Sequence, residues 1–115
     1  MSQENFFELY PVRNSDIAWE ADQSRLTLVF KRDRLVDKLL CALFKTPAVI
    51  RVELDEMGSL AWLHCDGKTQ VHAMLGEMRR TFGQAGEPAP ERLLVFLNTL
   101  REKGWIKIEK EAARA

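Results

Sequence analysis

The sequence predicts an α+β domain in which helices cover a three-stranded antiparallel sheet. Residues 17–21 and 25–30 alternate in polarity on either side of a turn, and residues 49–54 alternate again. The segments after residue 54 instead place apolar side chains at spacings of three and four, which is the period of a helix. Three short strands cannot bury an apolar face alone, so the helices are expected to cover it.

The composition fits one globular domain spanning residues 1–115, with ends at 1–15 and 109–115 expected to be flexible. The chain is 46% hydrophobic and 30% charged, and its 17 basic and 17 acidic residues cancel. A zero net charge argues against a dedicated nucleic-acid binder. The first eight residues do not form a signal peptide, and no apolar run approaches the roughly 20 residues that span a bilayer. We therefore expect a cytoplasmic protein without stable membrane insertion.

The first two strands are expected to pair as a β-hairpin. The residues between them, Asp22-Gln23-Ser24, have turn chemistry. The second strand places three large apolar side chains on one face: Leu26, Leu28 and Phe30.

An extra helix at residues 33–45 is predicted between the second and third strands. Asp33 suits its N-cap, and Thr46-Pro47 ends it. Its apolar residues recur at helical spacing: Leu35, Val36, Leu39, Leu40, Leu43 and Phe44. Three interpretations remain open: a cover packed on the sheet, a surface that docks a partner, and a helix lying on a membrane surface.

Three further helices follow the third strand. Asp55 is expected to cap a helix at residues 56–65, and its apolar face is expected at Met57, Leu60, Ala61 and His64. Thr69 is expected to cap a second helix at residues 70–82. A third begins at Pro90 or Glu91 and reaches Lys103. Gly67 and Gly104 suit left-handed helix stops, and residues 105–108 suggest a short closing strand.

The segments 54–62 (LDEMGSLAW), 65–69 (CDGKT) and 100–106 (LREKGWI) resemble the PqqD family, which is named for a protein of pyrroloquinoline quinone (PQQ) synthesis. The resemblance covers about residues 17–108 and is dense from Val52 onward. It implies that the last three helices form a winged-helix-like bundle. Family members usually join the second and third strands by a short turn, whereas residues 31–48 intervene here.

The resemblance also implies a function. PqqD-like domains are recognition elements, or peptide chaperones, for ribosomally made peptides. They bind the leader segment of the precursor peptide and present it to a modifying enzyme of the radical S-adenosylmethionine (SAM) type. The leader adds as an extra strand beside the third strand and lies against the last helix. By this resemblance the chain is a peptide-binding protein and not an enzyme, and it needs no cofactor.

Strand addition requires an edge strand with free backbone groups, an apolar groove beside it and charges that set the register. The candidate peptide-binding residues are Val49, Ile50, Arg51, Val52, Glu53, Leu94, Leu97 and Arg101. Two simpler interpretations stay open. Edge charges also discourage random strand pairing, and the apolar residues of the last helix can all belong to the core. An unfilled edge can also pair two copies as a homodimer.

Catalytic and metal sites find little support in the sequence. His64, Cys65, His72 and Cys41 match no zinc spacing, and residues 83–86 lack the Lys-Ser/Thr end of a phosphate loop. Helix capping explains Asp55 and Glu56. No catalytic residue and no metal ligand is predicted.

A winged-helix DNA-binding protein is the alternative from another functional class. The last helix would then read a groove. It carries three cations but also two carboxylates: Arg92, Arg101, Lys103, Glu91 and Glu102. Helices that read base edges usually carry more Arg, Lys, Asn and Gln than this.

Overall fold

The computed structural model describes residues 6–31 and 49–113. The elements run in the order β1 (Tyr10–Arg13), β2 (Ala18–Asp22), β3 (Arg25–Lys31), β4 (Val49–Glu53), α1 (Glu56–Leu63), α2 (Val71–Phe82), a 3-10 turn (Gly83–Gly86), α3 (Ala89–Glu102) and β5 (Ile106–Glu109). The predicted α+β class is confirmed. The helix predicted at residues 33–45 and Cys41 lie outside the described residues.

The three-stranded antiparallel sheet is also confirmed, in the order β2-β3-β4. Leu28 at its centre is fully buried and lies opposite Trp19 on β2 and Val52 on β4. Because side chains on directly paired residues project to the same face, these residues define an inner face that packs toward the helices. The outer face carries charged residues at Glu20, Arg51 and Glu53, and at its centre Val29 is buried, with 7% of its surface exposed.

The N-terminal segment, for which flexibility was predicted over residues 1–15, is packed against the rest of the fold at residues 6–13. Phe6 and Leu9 belong to the core, with 5% and 6% of their surface exposed. The backbone N–H groups of Val71 and His72, at the start of α2, donate to the carbonyls of Leu9 and Phe7 at 3.0 and 2.9 Å. The segment just before β1 therefore holds the first turn of α2 in place.

The C-terminal segment is likewise tied to the fold as far as residue 113. The predicted closing strand is confirmed as β5, and it pairs antiparallel with β1 from Tyr10–Glu109 to Arg13–Ile106. The N–H of Ala113 donates to the carbonyl of Gly67 at 2.7 Å. Glu109 and Ala113, within the end predicted to be flexible, thus both have backbone hydrogen-bond partners in the fold.

Helix α1 begins as predicted but turns a different face inward. The carboxylate of Asp55 accepts a hydrogen bond from the N–H of Gly58 at 2.7 Å, which is an N-cap. The predicted face was Met57, Leu60, Ala61 and His64, whereas the buried residues are Gly58, Ser59, Ala61 and Trp62. The close approach of α3 explains the difference, since a Cβ at Gly58 would lie only 3.1 Å from the Phe96 ring.

Helices α2 and α3 follow their predicted spans, with one correction at the start of α2. Gln70, not Thr69, occupies the N-cap position, and the Thr69 hydroxyl instead donates to the Asp66 carboxylate at 3.3 Å. Gly104 adopts a φ of 76° directly after α3, as a left-handed stop requires. The buried residues of α3 are Ala89, Leu93, Leu97 and Leu100.

A buried serine joins α1 to the sheet. Ser59, with 2% of its surface exposed, accepts a hydrogen bond from the N–H of Leu26 at 2.8 Å and donates to the carbonyl of Leu54 at 3.4 Å. Its hydroxyl thus stands between two backbone groups of β3 and the end of β4. The helix and the sheet are fixed to each other at this point.

Replacing Ser59 by alanine is expected to destabilise the fold by about 1–3 kcal/mol, because the buried N–H of Leu26 loses its acceptor. Urea unfolding followed by circular dichroism measures the change. Ser15→Ala, at an exposed position, is the control and is expected to stay within about 0.5 kcal/mol of the parent protein. Equal stability of the two variants would contradict a structural role for the Ser59 hydroxyl.

Candidate functional site

Strand β4 is an edge strand within the described residues, where it pairs with β3 alone. The N–H of Leu54 donates to the carbonyl of Leu26 at 2.8 Å. In an antiparallel pair, hydrogen-bonded residues alternate with residues whose backbone groups point away. Val52 and Ile50 therefore bond to β3, and Arg51 and Glu53 direct their N–H and C=O groups to the open edge.

The β2-β3 hairpin independently supports this assignment. Asp22 and Arg25 are paired across the two-residue turn Gln23-Ser24, and the residues that flank such a turn form a hydrogen-bonded pair. Along β3, the backbone N–H and C=O groups of Thr27 and of every second residue after it therefore point toward β2. The backbone groups of the residues between them, beginning with Leu26, point toward β4. The hairpin turn and the Leu54–Leu26 hydrogen bond thus predict the same alternation.

An apolar surface lies beside this edge on the inner face of the sheet. Ile50 is 43% exposed and pairs with Phe30 on β3. The Phe30 ring packs on Trp105, which follows α3, with ring centroids 4.8 Å apart. We call Phe30, Ile50, Val52 and Trp105 the β4 surface. It joins the edge strand to the end of α3 through one aromatic contact.

The end of α3 brings positive charge to the β4 surface. The Lys103 ammonium group lies 5.3 Å from the centroid of the Trp105 ring, which is a cation–π contact. Arg101, in the last turn of α3, is exposed. Leu94 lies two turns earlier on the same side of the helix as Arg101 and is partly buried against the core.

The predicted site residues therefore fall into two groups. Ile50, Arg51 and Glu53 are exposed, and Val52 and Leu94 are partly exposed. Leu97 is fully buried, so it offers no surface to a ligand and only supports the packing of α3. Sequence reasoning did not select Phe30 or Trp105 as part of this surface. The position of Trp105, directly after the Gly104 helix stop, was the available signal.

On the outer face of the sheet, both charged side chains of β4 form ion pairs with the other two strands. Arg51 forms an ion pair with Glu20 on β2 at 2.7 Å, and Glu53 forms one with Arg25 on β3 at 2.8 Å. All four side chains are largely exposed, so these pairs add little to stability. The Arg51 pair reaches across β3. With these side chains paired on the outer face, the outward backbone groups of β4 are the part of the edge that no described strand pairs.

The candidate metal and nucleophile residues do not form a site. Cys65 is fully buried, and this burial raises the pKa of its thiol to about 12. The ring Nδ1 of His64 lies 2.9 Å from the Leu60 carbonyl, and His72 is exposed on α2. Within residues 6–31 and 49–113, no three His, Cys, Asp or Glu side chains come together as metal ligands.

Two further classes of site find no support in the described part of the chain. The exposed side of α3 mixes Glu91 and Glu102 with Arg92 and Arg101, so no continuous basic face is available for a nucleic-acid groove. No helix in the described segments is both long and apolar enough to cross a membrane.

Comparison with protein families adds one finding. A family model described as Coenzyme PQQ synthesis protein D (PqqD) matches residues 47–106, just over half of the chain. The matched residues cover β4, all three described helices and the first residue of β5, and they leave out the β2-β3 hairpin. No curated protein and no solved structure matches the chain.

The buried state of Cys65 predicts an unreactive thiol. In a Cys41→Ser background, Cys65 is expected to react with a thiol reagent at pH 8 more than about a hundredfold slower in the folded protein than in denaturant, because the raised pKa keeps it protonated. The release of the reagent's chromophore measures the rate. Fast labelling of the folded protein would show an accessible thiolate and reopen a chemical role for this residue.

Proposed function

This chain belongs to the PqqD family, and we propose that it binds the leader segment of a ribosomally made precursor peptide. The leader adds as a strand beside β4, and the domain presents it to a radical SAM-type modifying enzyme. One observation carries the proposal: Arg51 and Glu53 direct backbone donors and acceptors to an edge that no described strand occupies, beside the exposed side chain of Ile50. Main-chain hydrogen bonds supply affinity in this mode of recognition.

Alternation along the added strand gives the leader a defined chemistry. Its inward side chains lie on the β4 surface, where Ile50 and Trp105 provide apolar contact. Its outward side chains lie over the ion pairs of Arg51 and Glu53. A leader that alternates apolar and polar residues fits both faces at once.

The cations at the end of α3 favour an acidic residue in the leader. Arg101 is exposed there, and Lys103 lies over the Trp105 ring. A leader carboxylate near this point forms a charge-assisted contact and fixes the register of the added strand. Leu94 extends the apolar side of the same helix toward the core.

In this proposal the chain holds and positions a peptide in the cytoplasm and performs no chemistry itself. Its backbone and apolar surface supply the binding, so it requires no cofactor of its own. The identity of the precursor peptide that this chain binds determines whether the final product is PQQ.

Arg51→Pro tests the edge directly. The substitution removes one outward N–H and places a ring at the edge, without removing a β3-β4 hydrogen bond. Leader binding is expected to weaken by about tenfold or more, as measured by calorimetric titration with a candidate leader peptide that binds the parent protein.

Two further variants control this experiment. Arg51→Ala keeps the backbone N–H and is expected to retain most of the affinity. Val52→Pro removes a bond to β3 and is expected to destabilise the fold by about 1–3 kcal/mol. Undiminished leader binding by a folded Arg51→Pro protein would show that the leader does not add at β4.

Ile50→Ser tests the apolar part of the site. Ile50 is 43% exposed, and covering its remaining surface by a leader side chain is worth about 1 kcal/mol, so binding is expected to weaken about fivefold. Val95→Ser is the matched control, since Val95 is a 66% exposed apolar residue on α3. The two variants should differ in leader affinity and agree in stability; equal affinities would place the leader elsewhere.

A further inference from the structure

A second apolar groove lies at the opposite edge of the same sheet, between β2 and the helices α1 and α2. Its volume is about 380 Å³, within the range of binding clefts. Two of its residues are large, apolar and exposed: Trp19 at 38% and Leu63 at 47%. Its apolar lining comes from both sheet and helices: Trp19, Ala21, Leu26, Leu60, Leu63 and Phe82.

The backbone beside this groove is open. Strand β2 pairs with β3 alone among the described strands, and all five of its residues are exposed. Since Asp22 and Glu20 bond to β3 by the alternation set at the hairpin turn, Ala21 and Trp19 direct their N–H and C=O groups outward. The residues with free backbone groups are thus the same ones whose side chains line the groove.

The charged side chains of β2 itself are all acidic. On the outer face β2 carries Glu20, which is ion-paired with Arg51 at 2.7 Å, and Asp22, which has no ion pair among the described residues; Glu56 lines the groove. On the inner side, the Arg13 guanidinium lies 5.7 Å from the Trp19 ring centroid. Its guanidinium already donates to the carbonyls of Trp62 and Leu63 at the end of α1, at 2.9 Å each.

We propose that the β2 edge is a second strand-docking site. It takes an extended segment of a partner protein whose side chains alternate apolar and basic. The apolar side chains enter the groove at Trp19 and Leu63. The basic ones face Asp22 and compete with Arg51 for Glu20, whose exposed ion pair with Arg51 is weak. Because β2 and β4 are opposite edges, both can be occupied at once. The existence of this site is independent of the function proposed above. Only its use in bringing the leader and a modifying enzyme together rests on that function.

The test uses a short synthetic peptide of alternating valine and lysine as the probe, and the same peptide with glutamate in place of lysine as its control. Titration into the full-length protein is followed by amide NMR signals. The lysine probe is expected to shift the signals of β2 and Leu63 and to bind about tenfold or more tightly than the glutamate control.

Three substitutions locate the binding. Ala21→Pro removes an outward N–H, and Leu63→Asp places a charge in the groove; each is expected to weaken probe binding about tenfold. Val95→Asp, at an exposed apolar residue on α3 outside the groove, is expected to leave it unchanged. If Ala21→Pro does not fold, Leu63→Asp decides the matter alone, because Leu63 is exposed on α1.

Ile50→Ser separates this site from the leader site. Because Ile50 lies on β4 opposite Phe30 and is separated from β2 by β3, the variant should weaken leader binding and leave the valine–lysine probe unaffected, so either function can fail without the other. Equal binding of both probes, shifts confined to β4, or no effect of Leu63→Asp would overturn the proposal. So would a concentration-dependent dimer that Leu63→Asp dissociates, which would assign the groove to a second copy of the chain.

Discussion

The pairing register of β3 and β4 determines everything proposed for this surface. The hydrogen bond from Leu54 to Leu26 and the Ser59 hydroxyl between the same two residues fix that register from the helix side. A slip by one residue would turn the backbone groups of Arg51 toward β3 and move Ile50 to the charged outer face. The buried serine therefore decides which residues of β4 are left for a ligand. A polar residue in the core is explained by this specificity as well as by stability.

The two faces and the two edges of the sheet make different kinds of contact. The inner face packs on the helices, and ion pairs neutralise much of the outer face, reaching from Arg51 across β3 to Glu20. Among the described residues, each edge has backbone groups without a strand partner beside an apolar surface. The charges differ, because Lys103 lies over Trp105 in the β4 surface whereas β2 carries Glu20 and Asp22. Paired edge charges also limit indiscriminate strand pairing. If the two edges bind two different extended segments, as proposed, this difference in charge disfavours binding of either segment at the wrong edge.

Local chemistry made part of this structure predictable. Period-two alternation located β2, β3 and β4, and a carboxylate before an apolar helix located the Asp55 cap. Strand β1 was missed because Pro11 interrupts its pattern and because its partner, β5, lies at the far end of the chain. The inward face of α1 was predicted wrongly because it is set by the close packing of Gly58 against Phe96 of α3. The spacing of residues within α1 carries no information about that contact. Helical spacing left Leu97 open as either a peptide contact or a core residue, and the structure buries it. The Phe30–Trp105 contact that builds the β4 surface joins residues 75 positions apart and was not predicted.

Amide hydrogen exchange, followed by NMR with and without the leader peptide, measures the state of the β4 edge most directly. In the free protein, Ile50 and Val52 should exchange slowly, and Arg51 and Glu53 should exchange rapidly. Saturating leader should then protect Arg51 and Glu53 as well. If these two amides are already protected in the free protein, or stay unprotected when the leader is bound, the edge is not the site of strand addition.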